Sequence, residues 1–264
     1  MKRKKLAPKI LAGLSFMAYF FLWAPVLVII VFSFSANRYG VAWDGFTMKW
    51  YGALLQNVAV KDALIRSLII ASVTVVVSTL IGTITAYGLY KLHFRGKRFL
   101  RTSILLPIIM PGVVTGGALL VFFTRVIHIP LGYPSIIIAH IVFSTPLAVF
   151  VILGRMQRIN WAWEEAAMDL GANRFRTFVR VTGPLLMPAI MASAVLIFPW
   201  SFDDFVITYF VSGIGSTTLP IYVFSQMRFG ATPVINTIGA LFVAVSIAAL
   251  FLLRAIEKRS KATL

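Results

Sequence analysis

Six runs of about 20 mostly apolar residues recur along the chain, and they limit its fold more than any other feature. The runs are residues 10–34, 68–90, 103–124, 135–153, 185–210 and 234–253. Each is long enough to cross a bilayer as a helix, since a hydrocarbon core of ~30 Å needs about 20 residues. With 59% hydrophobic and 12% charged residues, the chain is also far from a soluble composition. The sequence predicts an all-α integral membrane protein with six transmembrane helices in one domain, residues 1–264.

The first run resembles a cleavable signal peptide in two respects. Lys2 to Lys5 form a basic start, and Ser33-Phe34-Ser35 offers a site with small residues on either side. Its apolar core is nevertheless longer than the roughly 7 to 15 residues of a signal peptide. We therefore expect an uncleaved spanning helix.

The 25 basic residues are distributed unevenly among the connections between the runs. Nineteen precede run one or follow runs two, four and six, whereas six lie in the alternate connections. Cytoplasmic loops of membrane proteins are enriched in Lys and Arg, so the side with the 19 basic residues, which includes both termini, is predicted to be cytoplasmic. The net charge of +17 is then explained by this topology, which places basic residues next to anionic lipid headgroups. Because this charge is split among short loops, a nucleic-acid partner is not predicted.

Several kinds of chemistry are excluded by residue type. The chain has no cysteine, and His93, His128 and His140 lie in separate segments without metal-ligand spacing. A phosphate-binding loop is also missing, because Arg98 follows Lys97 where such a loop needs Ser or Thr. We expect no metal, no cofactor and no catalytic residue on this chain.

A polar interval, residues 164–184, separates the fourth and fifth runs and reads EEAAMDLGANRFRTFVRVTGP. Its first part predicts a helix with Glu165 and Asp169 on one face. The apolar face comprises Trp163, Ala166, Ala167 and Leu170. Gly171 is predicted to end the helix, since glycine readily adopts the left-handed conformation of a helix terminus.

A second short amphipathic helix is predicted after Gly171. Its apolar positions are Phe175, Phe178, Val179 and Thr182. Arg176 and Arg180 share its polar side. Pro184 marks the entry into the fifth run, because the missing N–H costs nothing in a first helical turn. The interval is thus predicted to be a hairpin of two short helices.

The charge of the first helix of this hairpin indicates whether lipid or protein contacts it. A helix lying on anionic lipid should be basic on its polar face. This helix instead carries Glu164, Glu165 and Asp169 and no basic residue. The pattern favours docking of a protein partner, and a lid packed on its own chain is the alternative.

The spacing Glu165-Ala166-Ala167-x-x-x-Gly171, followed by Val181-Thr182-Gly183-Pro184, resembles the EAA signature of ABC importer permeases of type I. In that family the motif ends Ile-x-Leu-Pro, where this chain has Val181 and Gly183. The resemblance implies a coupling loop, about residues 155–184, that inserts into a cytoplasmic ATPase dimer holding the ATP and Mg. The coupling residues it implies are Glu164, Glu165, Ala166, Ala167, Asp169, Gly171, Arg176, Val181 and Pro184.

Further segments resemble the shorter spermidine/putrescine permeases. They are Arg38-Tyr39-Gly40, Trp43, Lys49-Trp50-Tyr51, Phe94-Arg95-Gly96-Lys97, Met168 to Ala172, Ser201 to Asp204 and Leu219-Pro220. This resemblance implies a polyamine substrate, an external substrate-binding protein and a second, homologous permease. It also implies a prokaryotic inner membrane.

Asp203 and Asp204 interrupt the fifth apolar run. Because acids within a bilayer usually face a polar cavity, they predict a substrate pathway together with the adjacent Trp200 and Ser201. Trp200 offers a ring face for a cation. A solvated helix end is the alternative. Trp43 is a candidate for the pathway entrance, or else an interfacial anchor.

Prolines and glycines also cluster in and near these runs. They are Pro107, Pro111, Gly112, Gly116, Gly117 and Pro199. Such residues either let a helix bend or let helices pack closely. The function predicted is ATP-driven import, with polyamines as substrate. An importer of another cationic or amino compound, or a secondary carrier driven by an ion gradient, are the alternatives.

Overall fold

The computed structural model describes residues 6–38, 42–228 and 233–262, and of residues 6–10 and 249–262 it describes the backbone only. Tyr39 and Gly40 of the first-loop motif, and the basic residues 2–5, lie outside this part. Thirteen α-helices account for most of it. They are α1 (Leu6–Phe32), α2 (Lys49–Gln56), α3 (Val58–Lys91), α4 (Lys97–Ser103), α5 (Leu106–Ile109), α6 (Gly112–Val121), α7 (Tyr133–Met156), α8 (Ala162–Asp169), α9 (Arg174–Thr177), α10 (Gly183–Phe202), α11 (Val206–Val211), α12 (Leu219–Met227) and α13 (Pro233–Ala262).

Four helices in the described part are long and apolar enough to cross a membrane. They are Leu11–Phe32, Val58–Lys91, Tyr133–Met156 and Arg174–Phe202. A fifth crossing is possible if the bent pair Lys97–Ile109 and Gly112–Val126 forms one span, and Pro233–Ala248 is a shorter apolar helix. The helical membrane architecture is confirmed, whereas the count of six spans stays a prediction.

The third predicted span, residues 103–124, is broken rather than continuous. Its two halves are bent by 107° at Met110 and Pro111. Met110 is extended (ψ 137°), because a following proline disfavours the helical conformation. Of the two alternatives for these residues, helix bending is therefore the one present at Pro111.

The fifth predicted span, residues 185–210, is also interrupted. α10 ends at Phe202 and α11 begins at Val206. The Asp204 carboxylate accepts the Thr208 backbone N–H at 2.8 Å, and the Thr208 hydroxyl donates to the Asp204 carbonyl at 3.0 Å. The Asp204 side chain thus replaces a regular helical hydrogen bond at the start of α11, and the two acids lie in the break instead of within a helix.

The chain divides into two compact units, residues 1–61 with 223–264 and residues 62–222. In the first unit α13 packs against both α1 and α2. Trp50 Nε1 there donates to the Ser35 carbonyl at 2.8 Å, and Tyr51 shares a 2.8 Å hydrogen bond with Ser33. The loop after α1 is thereby attached to α2.

The second unit is built around α3, α7 and α10. Its core includes Ala86, Ala148, Ile152, Met156 and Leu186, all fully buried. A Cβ at Gly82 would clash with the Cβ of Ala148, so glycine there allows α3 and α7 to approach closely. A second apolar cluster, which includes Ile70, Phe123, Phe143 and Val211, joins α3 and α7 to α11.

Candidate functional site

The first helix of the predicted hairpin is α8, and it ends as the sequence predicts. Gly171 is left-handed (φ +87°). The Ala172 N–H reaches back to the Ala167 carbonyl at 3.1 Å, and the Gly171 N–H bonds to Met168 at 2.9 Å. These two bonds satisfy carbonyls that a helix terminus leaves open. The chain therefore reverses sharply after α8.

The second helix differs from its prediction. It begins at Arg174, capped by the Asn173 side chain that accepts the Arg176 N–H at 2.8 Å, and runs without interruption to Phe202. α10 begins at Gly183, so Pro184 lies in the first turn of that helix as predicted, but no break separates it from the second helix of the hairpin. A π-helical turn over Phe178–Thr182, with the Gly183 N–H bonded to Phe178, precedes the proline. Such a local change of register lets a membrane helix accommodate a proline.

The hairpin exposes apolar side chains. Trp163 is 65% exposed, Leu170 90% and Phe175 78%. The remaining predicted coupling residues are placed as follows: Glu165, Ala166, Asp169, Gly171, Arg176 and Pro184 are exposed, and Ala167 and Val181 are half-buried. Large exposed apolar groups next to charges are typical of a surface that binds a partner.

Glu164 differs from the other predicted coupling residues because it is buried against its own chain. Its carboxylate lies 3.2 Å from the Lys91 ammonium, accepts the Thr182 hydroxyl at 3.0 Å and accepts the Tyr87 hydroxyl at 3.4 Å. Glu164 therefore joins α8 to the end of α3 and to the second helix of the hairpin, which continues into α10.

Aromatic contacts reinforce this junction. The Lys91 ammonium lies 3.7 Å from the centroid of a Trp161 ring. Trp161 Nε1 donates to the Tyr90 hydroxyl at 2.9 Å, and the two rings stack at 5.0 Å. We call Tyr87, Tyr90, Lys91, Trp161, Glu164 and Thr182 the hairpin anchor.

The second polar site lies at the break between α10 and α11. His140 of α7 is buried, with Nδ1 2.7 Å from the Ser201 hydroxyl and Nε2 2.8 Å from the Thr208 hydroxyl. The Asp204 carboxylate lies 3.5 Å from Nε2 of the same ring and accepts the Thr208 hydroxyl at 2.8 Å. Asp204 and Ser201 thus have their hydrogen bonds inside the protein.

Asp203 and Trp200 face outward instead. Asp203 is exposed, and its carboxylate has no hydrogen-bond or ion-pair partner among the described residues. Trp200, 55% exposed, precedes it by one helical turn. Trp43 belongs to the first unit and is half exposed. The break therefore offers an exposed carboxylate beside an exposed indole, while the other carboxylate holds the fold.

Sequence reasoning missed the partners of both internal acids. Asp204 and Thr208 are four residues apart, a spacing that could have suggested their pairing. His140 and Lys91 lie 64 and 73 residues from the acids they meet. No local pattern could have identified them.

Comparison with known proteins identifies the family. Residues 78–262 match the model of the binding-protein-dependent transport system inner membrane component. The chain belongs to this family. It is therefore a membrane permease subunit of a binding-protein-dependent transport system, and its family consists of transport subunits.

Relatives are similar over most of the chain. The putrescine transport system permease protein PotI of Escherichia coli is 39% identical, over 85% of this chain and 82% of PotI. The spermidine/putrescine transport system permease protein PotC is 36% identical in Escherichia coli, over 87% of this chain and 86% of that one. PotC of Haemophilus influenzae is 33% identical over 93% and 95%.

Solved structures share the fold. A bacterial ABC transporter involved in import of the acidic polysaccharide alginate matches with a TM-score of 0.72, 18% identity and 98% coverage of both chains. The alginate transporter in complex with a pentasaccharide-bound periplasmic protein matches with a TM-score of 0.73 and 20% identity, over 96% of this chain and 93% of that one. This chain thus shares its fold with the alginate transporter at a sequence identity of only 18 to 20%.

Proposed function

We propose that this chain is a permease subunit of an ATP-driven polyamine importer. Its similarity to putrescine and spermidine permeases over more than four fifths of its length carries the proposal. The wider fold does not define the cargo, since alginate importers have it as well. In this proposal the chain lies in a prokaryotic inner membrane and pairs with a second, homologous permease.

The hairpin is proposed to dock on a cytoplasmic ATPase dimer, which holds ATP and Mg. Support comes from its exposed surface, where Trp163, Leu170 and Phe175 adjoin the acidic Glu165 and Asp169. A lid packed on its own chain would bury these apolar groups. A helix resting on anionic lipid would carry basic residues in place of the acids. This orientation places both termini in the cytosol.

The hairpin anchor is proposed to transmit movement of the ATPases into the membrane. Glu164 contacts Lys91 at the end of α3 and Thr182 in the helix that continues into α10. When the ATPases close, α8 would carry these two helix ends with it. Rigid movement of the attached spans then alternates access to the two sides of the membrane.

Asp203 and Trp200 are proposed to contact the cationic cargo. An exposed carboxylate pairs with an ammonium group, and an indole face attracts a second cation through its ring quadrupole. Ser201 and Asp204 instead support this site through His140 and Thr208. Trp43 stays a prediction for the pathway entrance.

Reconstitution of the complete transporter tests the proposed cargo. The chain, the second permease and the ATPase would be placed in nanodiscs with the binding protein, and ATP hydrolysis measured with putrescine, spermidine, arginine or an alginate oligosaccharide. We expect stimulation by the polyamines and not by the oligosaccharide. Stimulation by arginine alone would instead assign another cationic compound.

The same preparation separates the importer from a carrier driven by an ion gradient. Vesicles holding the permease pair without the ATPase should take up no labelled polyamine under a proton or sodium gradient. Uptake under those conditions would contradict the ATP-driven mechanism.

The proposed orientation has a direct test because the chain has no cysteine of its own. A single cysteine at Asp169, in the hairpin, should be protected from a membrane-impermeant maleimide in intact cells and labelled after permeabilisation. A cysteine at Asp44, in the first loop, should be labelled in intact cells. The reverse labelling pattern would invert the topology.

A further inference from the structure

A small basic pocket lies beside the hairpin anchor, in the second unit. Its volume is about 220 Å³, and it is open on one side. The end of α3, the short helix α4 and the end of α7 form its walls. The lining residues are Leu89, Tyr90, Lys97, Arg101, Leu153 and Gln157.

The charges in this pocket are not balanced by acids. Two cations, Lys97 and Arg101, lie one turn apart on α4, and no lining residue is acidic. Lys97 uses one ammonium hydrogen on the Leu92 carbonyl at 2.9 Å and keeps two for a ligand. Arg101 adds a planar guanidinium, the group best suited to hold two oxygens of a phosphate. The pocket therefore fits a phosphate group.

The surroundings point to a phospholipid as the source of that phosphate. α4 follows directly on the long apolar helix α3 and exposes Phe99 (79%) and Leu100 beside its cations. Exposed apolar and basic residues on one short segment are typical of the membrane interface. Inside the pocket, the buried Leu89 and Leu153 offer an apolar wall. Basic pockets between membrane helices on the cytoplasmic side bind anionic headgroups.

We propose that this pocket binds the phosphate headgroup of an anionic phospholipid. The ligand would contact Tyr90, whose hydroxyl accepts the Trp161 indole N–H at 2.9 Å. Lys91, the next residue, pairs with Glu164. A bound lipid therefore touches the hairpin anchor and steadies the end of α3 that holds α8. The cytoplasmic location of the pocket rests on the orientation proposed above, whereas lipid binding by the purified chain does not depend on the transport function.

Lipid binding by the purified full-length chain tests the proposal. Dioleoylphosphatidylglycerol would be titrated into the detergent-solubilised protein, and bound lipid counted by native mass spectrometry, with dioleoylphosphatidylcholine as the zwitterionic comparison. The variant Lys97→Gln/Arg101→Gln should weaken phosphatidylglycerol binding at least about tenfold. Arg101→Lys keeps the charge but lacks the planar guanidinium, so it should lose part of the binding and less than the double variant does.

The matched control is Arg95→Gln/Arg98→Gln. It removes the same charge from exposed neighbours that do not line the pocket, and binding should change by less than about twofold. Should the double pocket variant fold poorly, Arg101→Gln, at an exposed position, carries the same test against Arg98→Gln. Equal losses in pocket and control variants would reduce the effect to general surface charge and overturn the proposal.

Two further results would also overturn it. One is equal binding of phosphatidylcholine. The other is displacement of the lipid by millimolar glycerol 3-phosphate or inorganic phosphate, with the same dependence on Lys97 and Arg101, because the ligand would then be a free phosphate.

Discussion

Two pairs of adjacent acids, one in the hairpin and one at the break after α10, each combine a carboxylate bonded within the chain with an exposed carboxylate. Glu164 and Asp204 bond to their own chain, whereas their neighbours Glu165 and Asp203 are exposed. In α8 a turn of about 100° per residue directs Glu164 and Glu165 apart, whereas Asp203 and Asp204 lie in the break between α10 and α11, where only Asp204 bonds to Thr208. Adjacent acids therefore need not share a role, although in sequence each pair looks like a single charged patch.

The two regions differ in what surrounds the exposed acid. Glu165 belongs to a surface with Trp163 and Leu170, large apolar groups suited to a protein partner. Asp203 directly follows α10, whose last turn carries the exposed Trp200, and this pair suits a small cation. The internal acids differ as well, because Glu164 contacts the cation Lys91 while Asp204 contacts the Thr208 hydroxyl and N–H and the His140 imidazole.

The largest effect is expected from reversing the exposed charge in the hairpin. Glu165→Arg should lower polyamine uptake per ATP hydrolysed on the order of a hundredfold, since a like charge facing a partner costs several kcal/mol. Thermal stability of the isolated chain should not change, because Glu165 is exposed. Uptake and hydrolysis would be measured together in proteoliposomes.

The control reverses an exposed acid outside the hairpin. Asp62→Arg disrupts only a surface ion pair with Arg66 (3.6 Å) and should leave coupling intact. Normal transport by Glu165→Arg would remove the docking role from the hairpin.

Much of the architecture was predictable from the sequence because apolar length and charge distribution act over whole segments. The reversal at Gly171 and the bend at Pro111 depend on local backbone preferences, and both are present, as are at least four of the apolar runs as long helices. The inward turn of Glu164 depends on Lys91 and Thr182, which only the tertiary fold brings close. The continuous helix through Pro184 likewise requires a π-helical turn that residue preferences do not predict.

Replacing Glu164, the buried acid of the hairpin, should mainly lower stability. Glu164→Ala removes two hydroxyl bonds and leaves Lys91 without its acid, so the free energy of unfolding should fall by about 2 to 3 kcal/mol. Transport per ATP should fall too, because α8 is no longer held to α3. Thermal unfolding in detergent and coupled uptake would be measured.

A charge swap separates pairing from packing. Glu164→Lys/Lys91→Glu restores opposite charges at the same two positions and should recover part of the stability lost in Glu164→Lys. No recovery would indicate that the 3.2 Å contact with Lys91 contributes little.

Replacing each acid at the break by alanine should affect a different property: stability for Asp204 and the KM for transport for Asp203. Asp204→Ala removes the acceptor of the Thr208 N–H and hydroxyl and should cost about 1 to 3 kcal/mol of stability. Asp203→Ala should leave stability within about 0.5 kcal/mol and raise the KM for spermidine about tenfold, through loss of a charge-assisted contact. An unchanged KM would make Asp203 a solvated helix end.

The smallest effect is expected at the turn that aims the hairpin. Gly171→Ala places a Cβ at φ +87°, where nothing lies within 4 Å, so the cost should be backbone strain alone, about 1 kcal/mol. Gly45→Ala, at φ +97° and equally open, is the matched control in the first unit. Both variants should lose similar stability in thermal unfolding, yet only Gly171→Ala should reduce uptake per ATP. If both variants reduce uptake per ATP equally, the turn at Gly171 affects stability but does not direct α8. The different exposure of Glu164 and Glu165 would then depend on the contact between Glu164 and Lys91.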